Sequence, residues 1–221
     1  MSAATDSLSI DIISDVVCPW CYIGKRRLEA ALAQRGDGSA KTVTRWHAFQ
    51  LNPDIPPGGV DRRTYLERKF GGPERARQIY ARVKAAGDEV GITFDFERIE
   101  RQPNTFDSHR LIVWAQDSNP SQSDTLIERL FRAYFIEGAN IGDIEVLARL
   151  AGEAGFDAAA ARTWLASDSG VSVVEAEEQR ARALGVSGVP FFVFNQRLAV
   201  SGAQPPEILL DAMAQAESAT V

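Results

Sequence analysis

Ser14-Asp15-Val16-Val17-Cys18-Pro19-Trp20-Cys21-Tyr22-Ile23-Gly24-Lys25-Arg26 joins a β-branched run to a helix-forming one through Cys18 and Cys21, the only cysteines in 221 residues. Upstream, Ser9 to Val17 reads as a strand ending where the cysteines begin. Downstream, Pro19 to about Arg35 favours helix: Leu28, Ala31 and Leu32 share an apolar face, Lys25, Arg26 and Glu29 cover the rest, and Gly36 and Gly38 end it. The unit is strand, Cys-x-x-Cys, helix.

Residues three apart on a helix have Cβ atoms about 5 to 6 Å apart, close to the Cα separation that a disulfide tolerates. The cysteines can therefore join and part with little backbone movement. At a helix start the first N–H groups lack intrahelical acceptors and the dipole is positive, which favours a thiolate at Cys18. Pro19 suits the first turn because its missing N–H would have been unpaired there. Trp20 stands where a histidine would add charge, so a moderate lowering of the Cys18 pKa is expected. Cys21, one turn deeper, is expected to be shielded and to resolve a mixed disulfide formed on Cys18.

A bridge between such close neighbours closes almost no loop and stabilises a fold weakly, so in a reducing compartment the pair reads as chemical. The competing readings are two ordinary buried small residues and a zinc site. Zinc needs four ligands, and His47 and His109 stand at spacings that match no standard cluster. They are expected on a strand face and on a helix surface respectively.

The composition, 45% hydrophobic and 24% charged, suits one globular domain or a domain carrying an insertion. A net charge of -6 from 24 Lys+Arg and 30 Asp+Glu gives no electrostatic incentive to bind nucleic acid. Met1 to Ser9 has neither a basic nor an apolar leader region, and no apolar run is long enough to cross a bilayer. The expectation is a cytoplasmic protein with no membrane partner.

Further along, Lys41 to Phe49 supplies a second strand, followed by the turn-rich Asn52-Pro53-Asp54 and Pro56-Pro57-Gly58-Gly59. Helical patterns cover Arg62 to Phe70, Glu74 to Gly87, Asp107 to Gln116, Thr125 to Glu137 and Ile144 to Ala154, with little strand signal between them. Ala158 to Ala161 is good helix material. A helix from Val171 to Leu184 precedes a hairpin of Val189 to Asn195 with Leu198 to Ser201, and Pro206 to Gln215 forms a last helix. The order is βαβ, a helical block, then αββα.

The Ser14 to Arg26 run resembles the active-site segment of the DsbA family of thioredoxin-fold proteins, in its FrnE-like branch. Asn104-Thr105 with His109-Arg110-Leu111, Gly188-Val189-Pro190-Phe191-Phe192 and Ser201-Gly202-Ala203-Gln204-Pro205-Pro206 extend the likeness in the same order over nearly the whole chain. The resemblance implies an α/β, thioredoxin-like fold with a large all-helical insertion: core residues 1–58, insertion 59–167, core 168–221. It implies that Pro190 is a cis-proline facing the cysteines, with Val189 turning backbone groups toward substrate. Asn104 and Thr105, capping residues by type, would place the insertion over the site and contact substrate, as would Ser201. Trp20, Phe49 and Phe106 are candidates for an apolar rim or for core. Asp15 is a candidate for proton transfer or for turn service.

The implied activity is thiol-disulfide exchange with protein or low-molecular-weight thiols, with no bound cofactor or metal and glutathione as a candidate co-substrate. Two alternatives stand beside it. Kappa-class transferases and 2-hydroxychromene-2-carboxylate isomerases are similar in fold but usually carry serine where Cys18 stands. A non-catalytic chaperone module would hold unfolded chains in an apolar groove.

Overall fold

Strand β1, Ser7–Ser14, alternates so that Leu8, Ile10 and Ile12 point into one core, while Ile13 packs on the opposite face with Phe49, Ala181 and Val186. A strand buried on both faces belongs at the centre of a sheet. Helix α1, Pro19–Gln34, carries the chain over to β2, Lys41–Ala48, which pairs with β1 in parallel. The computed structural model describes residues 7–36 and 40–218; Gly38 and the first six residues of the Met1 to Ser9 segment lie outside the described residues.

The middle of the chain runs through β3 (Val60–Asp61), α2 (Arg62–Phe70), α3 (Pro73–Asp88), a 3-10 turn (Phe96–Arg98), β4 (Arg101–Gln102), α4 (Phe106–Ser118), α5 (Pro120–Phe135), α6 (Ile144–Glu153), α7 (Ala158–Leu165) and α8 (Val171–Ala183). Then β5 (Phe191–Phe194), β6 (Leu198–Ser201) and α9 (Pro206–Ser218) complete the sheet, whose order is β2-β1-β5-β6, with β5 antiparallel to both neighbours.

The elements depart from the sequence pattern where local chemistry intervenes. β1 stops at Ser14, three residues before the end of its β-branched run. The Cys18 amide donates to the Asp15 carbonyl at 2.9 Å, and the Asp15 carboxylate accepts from the Leu51 amide at 2.8 Å, so the chain turns. Pro120 takes the first turn of α5, five residues ahead of the expected start. Asp157 caps α7 by accepting from the Ala159 and Ala160 amides. The three residues Asn195 to Arg197 join the hairpin strands, with Asn195 and Gln196 left-handed at φ 47 and 55 and the Arg197 amide donating to the Phe194 carbonyl at 3.0 Å. β3 and β4 form a two-residue ladder inside the helical stretch, too short to leave a periodic signal.

One continuous core joins sheet and helical block. Tyr22 of α1 stacks on Phe131 of α5 with ring centroids 4.9 Å apart and donates its hydroxyl to Glu128 at 2.7 Å. Lys25, buried, reaches Asp124 at 2.8 Å and also pairs with Glu29. The helix that bears the cysteines is thereby fixed to α5 by both apolar contact and charge.

Candidate active site

Cys18 is the N-cap of α1, with extended backbone (φ -93, ψ 112) and Pro19 in the first turn; no side chain caps the free amides. Its sulfur lies 3.5 Å from the Val189 carbonyl oxygen, to which the thiol donates. The Val189–Pro190 peptide is cis, as the resemblance implies, and Pro190 is buried. The Gly202 amide donates to the Pro190 carbonyl at 2.8 Å, which ties the segment after exposed Ser201 to the same loop. Gly24, on the helix face opposite, lets Pro190 approach: a Cβ there would sit 2.9 Å from Pro190 Cγ.

Cys21 lies one turn deeper, and its amide donates to the Cys18 carbonyl at 3.0 Å. Both thiols are free, and both are buried: Cys18 is 4% exposed and Cys21 1%. Burial pushes the Cys21 thiol well above its usual range, and the adjacent Cys18 sulfur pushes it further. The Ser14 hydroxyl and the Asp15 amide face the Cys21 sulfur and work in the other direction. Two sulfurs three residues apart thus occupy different environments, Cys18 against a loop carbonyl and Cys21 inside the core.

The surroundings are built largely from residues distant in sequence. Tyr65 and Lys69 of α2 lie within charge range of Cys18 and Asp15, and both contact Asn52, the tyrosine at 2.9 Å. Burial pushes the Tyr65 hydroxyl up to about 12. Burial and the neighbouring Arg62 hold the Lys69 ammonium below its usual range, against the pull of Cys18 and Asp15. Forty or more residues separate them from the cysteines, and nothing in their local pattern marks them.

Asn104 accepts from the Phe106 amide at 2.8 Å and from Gln50 Nε2 at 3.1 Å, and donates to the Ile55 carbonyl at 2.5 Å. It fastens the start of α4 to the loop after β2. Thr105 is the N-cap of α4, but its side chain makes no capping hydrogen bond and is buried, 3% exposed. Trp20 stands 40% exposed two residues from Cys18. Phe49 is buried and carries the Arg182 guanidinium over its ring, and Phe106 packs on Ala48, Val113 and Val174, so these two belong to packing and not to a rim.

The histidines divide differently from expectation. His47 does lie on a strand, where it bridges Asp11 and Glu177. His109 is not on a helix surface: it is 3% exposed, with Nε2 3.5 Å from Asp15 Oδ1, within charge range but long for a hydrogen bond. Ile127 and Phe131 of α5 line the same small cavity as the ring, and a single helix cannot reveal them. Among the described residues no group of three or more His, Cys, Asp or Glu side chains is placed to hold a metal ion, and no helix is long and apolar enough to cross a membrane. A large cavity of about 870 Å³ between α2, α3 and the 3-10 turn is lined by Arg62, Tyr80 and Phe96 and by none of the expected site residues.

A sheet of this order, with a Cys-x-x-Cys pair opening the helix after its central strand and a cis-proline loop against the first sulfur, defines a thioredoxin-like oxidoreductase fold. The DSBA-like thioredoxin domain model matches residues 9–214, and the chain belongs to that family. It is 32% identical to a probable DsbA oxidoreductase from Streptomyces coelicolor, with a TM-score of 0.87 over 97% of this chain and 92% of that one. It shares the fold with a 2-hydroxychromene-2-carboxylate isomerase (17% identity, TM-score 0.70, 94% and 95% covered). The same holds for the cytosolic disulfide reductase DsbM from Pseudomonas aeruginosa, solved with GSH (16% identity, TM-score 0.57, 95% and 96% covered).

Proposed function

We propose that this protein is a thiol-disulfide oxidoreductase of the FrnE-like branch, exchanging disulfides with protein or low-molecular-weight thiols in the cytoplasm. The observation that carries the reading is the Cys18 sulfur at the uncapped start of α1, 3.5 Å from the Val189 carbonyl, with the Cys21 thiol beside it. Cys18 is the nucleophile: its thiolate attacks a substrate disulfide, forming a mixed disulfide and releasing one substrate thiolate. Cys21 then attacks Cys18, closing the intramolecular bridge and releasing the second thiolate. Exposed Trp20, the Val189–Pro190 backbone and Ser201 flank the approach, while Asn104 and Thr105 act behind it by holding α4 and the loop after β2 in place. Residues 59–167 serve as the insertion on the core of 1–58 and 168–221.

Insulin-disulfide reduction by wild type and Cys18→Ser tests this. The variant is expected to lose the activity; equal rates would remove the dithiol reading. The fold shared with a 2-hydroxychromene-2-carboxylate isomerase supports a second reading as a glutathione-dependent isomerase or transferase, although Cys18 stands where those enzymes usually carry serine. A protein inactive on insulin that still conjugates or isomerises with glutathione would favour it. Glutathione is a candidate co-substrate under either reading.

A further inference from the structure

Three buried polar atoms make no hydrogen bond of normal geometry within the protein: Ser14 Oγ, which faces the Cys21 sulfur, Trp46 Nε1 and His109 Nε2. Each belongs to a residue lining the same small cavity, which His47, Glu177 and apolar side chains such as Ile112, Ile127 and Phe131 also line. An unpaired buried donor or acceptor costs about 1–3 kcal/mol, and three around one void call for a shared partner. The cavity offers about 10 Å³ to the centre of a water molecule, the space that one water needs, and three polar partners is the usual number for a buried water.

We infer that this cavity holds one ordered water, and that Ser14, the water and His109 together form the route by which the Cys21 proton leaves when Cys21 attacks the mixed disulfide. The inference rests on the dithiol reading above. The Cys21 S–H bond breaks as its electron pair forms the bond to Cys18 Sγ, and the bond from Cys18 to the substrate sulfur breaks with its pair leaving on a substrate thiolate. The proton passes to Ser14 Oγ, whose own proton moves to the water, and a water proton moves to His109 Nε2. Trp46 donates its indole N–H to the water and holds it in place.

The charges around His109 suit its role as acceptor. Asp15, from the β1–α1 turn, lies 3.5 Å from Nε2 and stabilises the imidazolium that forms. Glu177 of α8 lies within charge range as well, and His47 of β2 lines the same cavity with its charge already neutralised by Asp11 and Glu177. α5 presents Ile127 and Phe131 there. Burial raises the Cys21 thiol, so at neutral pH the resolving step needs a base, and a side chain 1% exposed gives its proton to bulk solvent only slowly.

The test uses a chromogenic aryl disulfide whose thiolate absorbs in the visible. Its reaction with the reduced protein releases one aryl thiolate when Cys18 attacks and a second when Cys21 resolves. In His109→Gln, and independently in Ser14→Ala, the ratio of second-phase to first-phase rate at neutral pH is expected to fall about tenfold, the gap narrowing above about pH 9 as hydroxide takes over. A loosened structure would instead alter both phases at every pH. Wild-type second phases with a wild-type pH profile in both variants would overturn the relay. Absence of a second phase in the wild type itself would overturn the dithiol reading. If His109→Gln fails to fold, Ser14→Ala, which removes one hydroxyl, carries the test alone.

Discussion

Raising the pH should weaken this fold through His47. Its Nε2 lies 2.8 Å from Asp11 Oδ1 and its Nδ1 2.9 Å from Glu177 Oε1, so both ring nitrogens meet carboxylates. Burial works against the charged ring, but the two hydrogen-bonded carboxylates outweigh it and lift the pKa from 6.5 to about 9. Between those values the folded protein keeps a proton that the unfolded chain has released. The stabilisation is therefore fully present below about pH 6.5 and is lost as pH rises through about 9. With the side chain 19% exposed, the gap corresponds to at most about 3 kcal/mol. Urea unfolding at about pH 6, 7.5 and 9.5 reads it directly. Wild type should exceed His47→Gln most at pH 6, and the difference should shrink toward pH 9.5. A difference that stays constant across that range, or grows with pH, would refute the reasoning.

Two further substitutions probe the frame around the cysteines. Gly24→Ala would place a Cβ 2.9 Å from Pro190 Cγ and 3.2 Å from Phe192 Cζ, and should cost about 1–3 kcal/mol by overpacking; an unchanged urea midpoint would contradict the contact. Arg110 spends its guanidinium on the carbonyls of Trp164, Leu165, Ser167 and Ser169 and on Asp107, closing the end of α7 against α4. Arg110→Lys keeps the charge but cannot reach these acceptors together, and should lower the melting temperature with a loss of about 2–3 kcal/mol, which a wild-type thermal scan would exclude.

The elements that could be read from sequence are those whose cause is local. Arg62–Phe70 and Leu198–Ser201 run as their patterns indicate, because capping Asp61 and the two left-handed turn residues act on their own neighbours. The placement of Cys18 at a helix start with Cys21 one turn on was legible for the same reason, since both are local geometry. The departures come from tertiary partners. Val16 and Val17 look like strand, yet Asp15 draws its bonds from Leu51 and turns the chain. His109 looks like a helix-surface residue because the neighbours that line its cavity, Ile127 and Phe131 among them, arrive from other elements.

Under the proposed exchange, the same distinction explains how the two cysteines divide their labour. A three-residue step along α1 rotates and lowers the side chain by about one turn, so Cys18 faces the Val189 carbonyl at the helix mouth while Cys21 faces Ser14 and the core. Had the second cysteine followed directly, it would have pointed to a different face of the helix and met neither partner. An attacking sulfur gains from free amides and an open approach. A resolving sulfur must stay protonated until the mixed disulfide forms and then lose its proton quickly, which requires both burial and a connected acceptor. α1 supplies the first condition by depth alone; the second depends on β1, β2 and α4, which bring Ser14, Trp46 and His109 to the same small cavity.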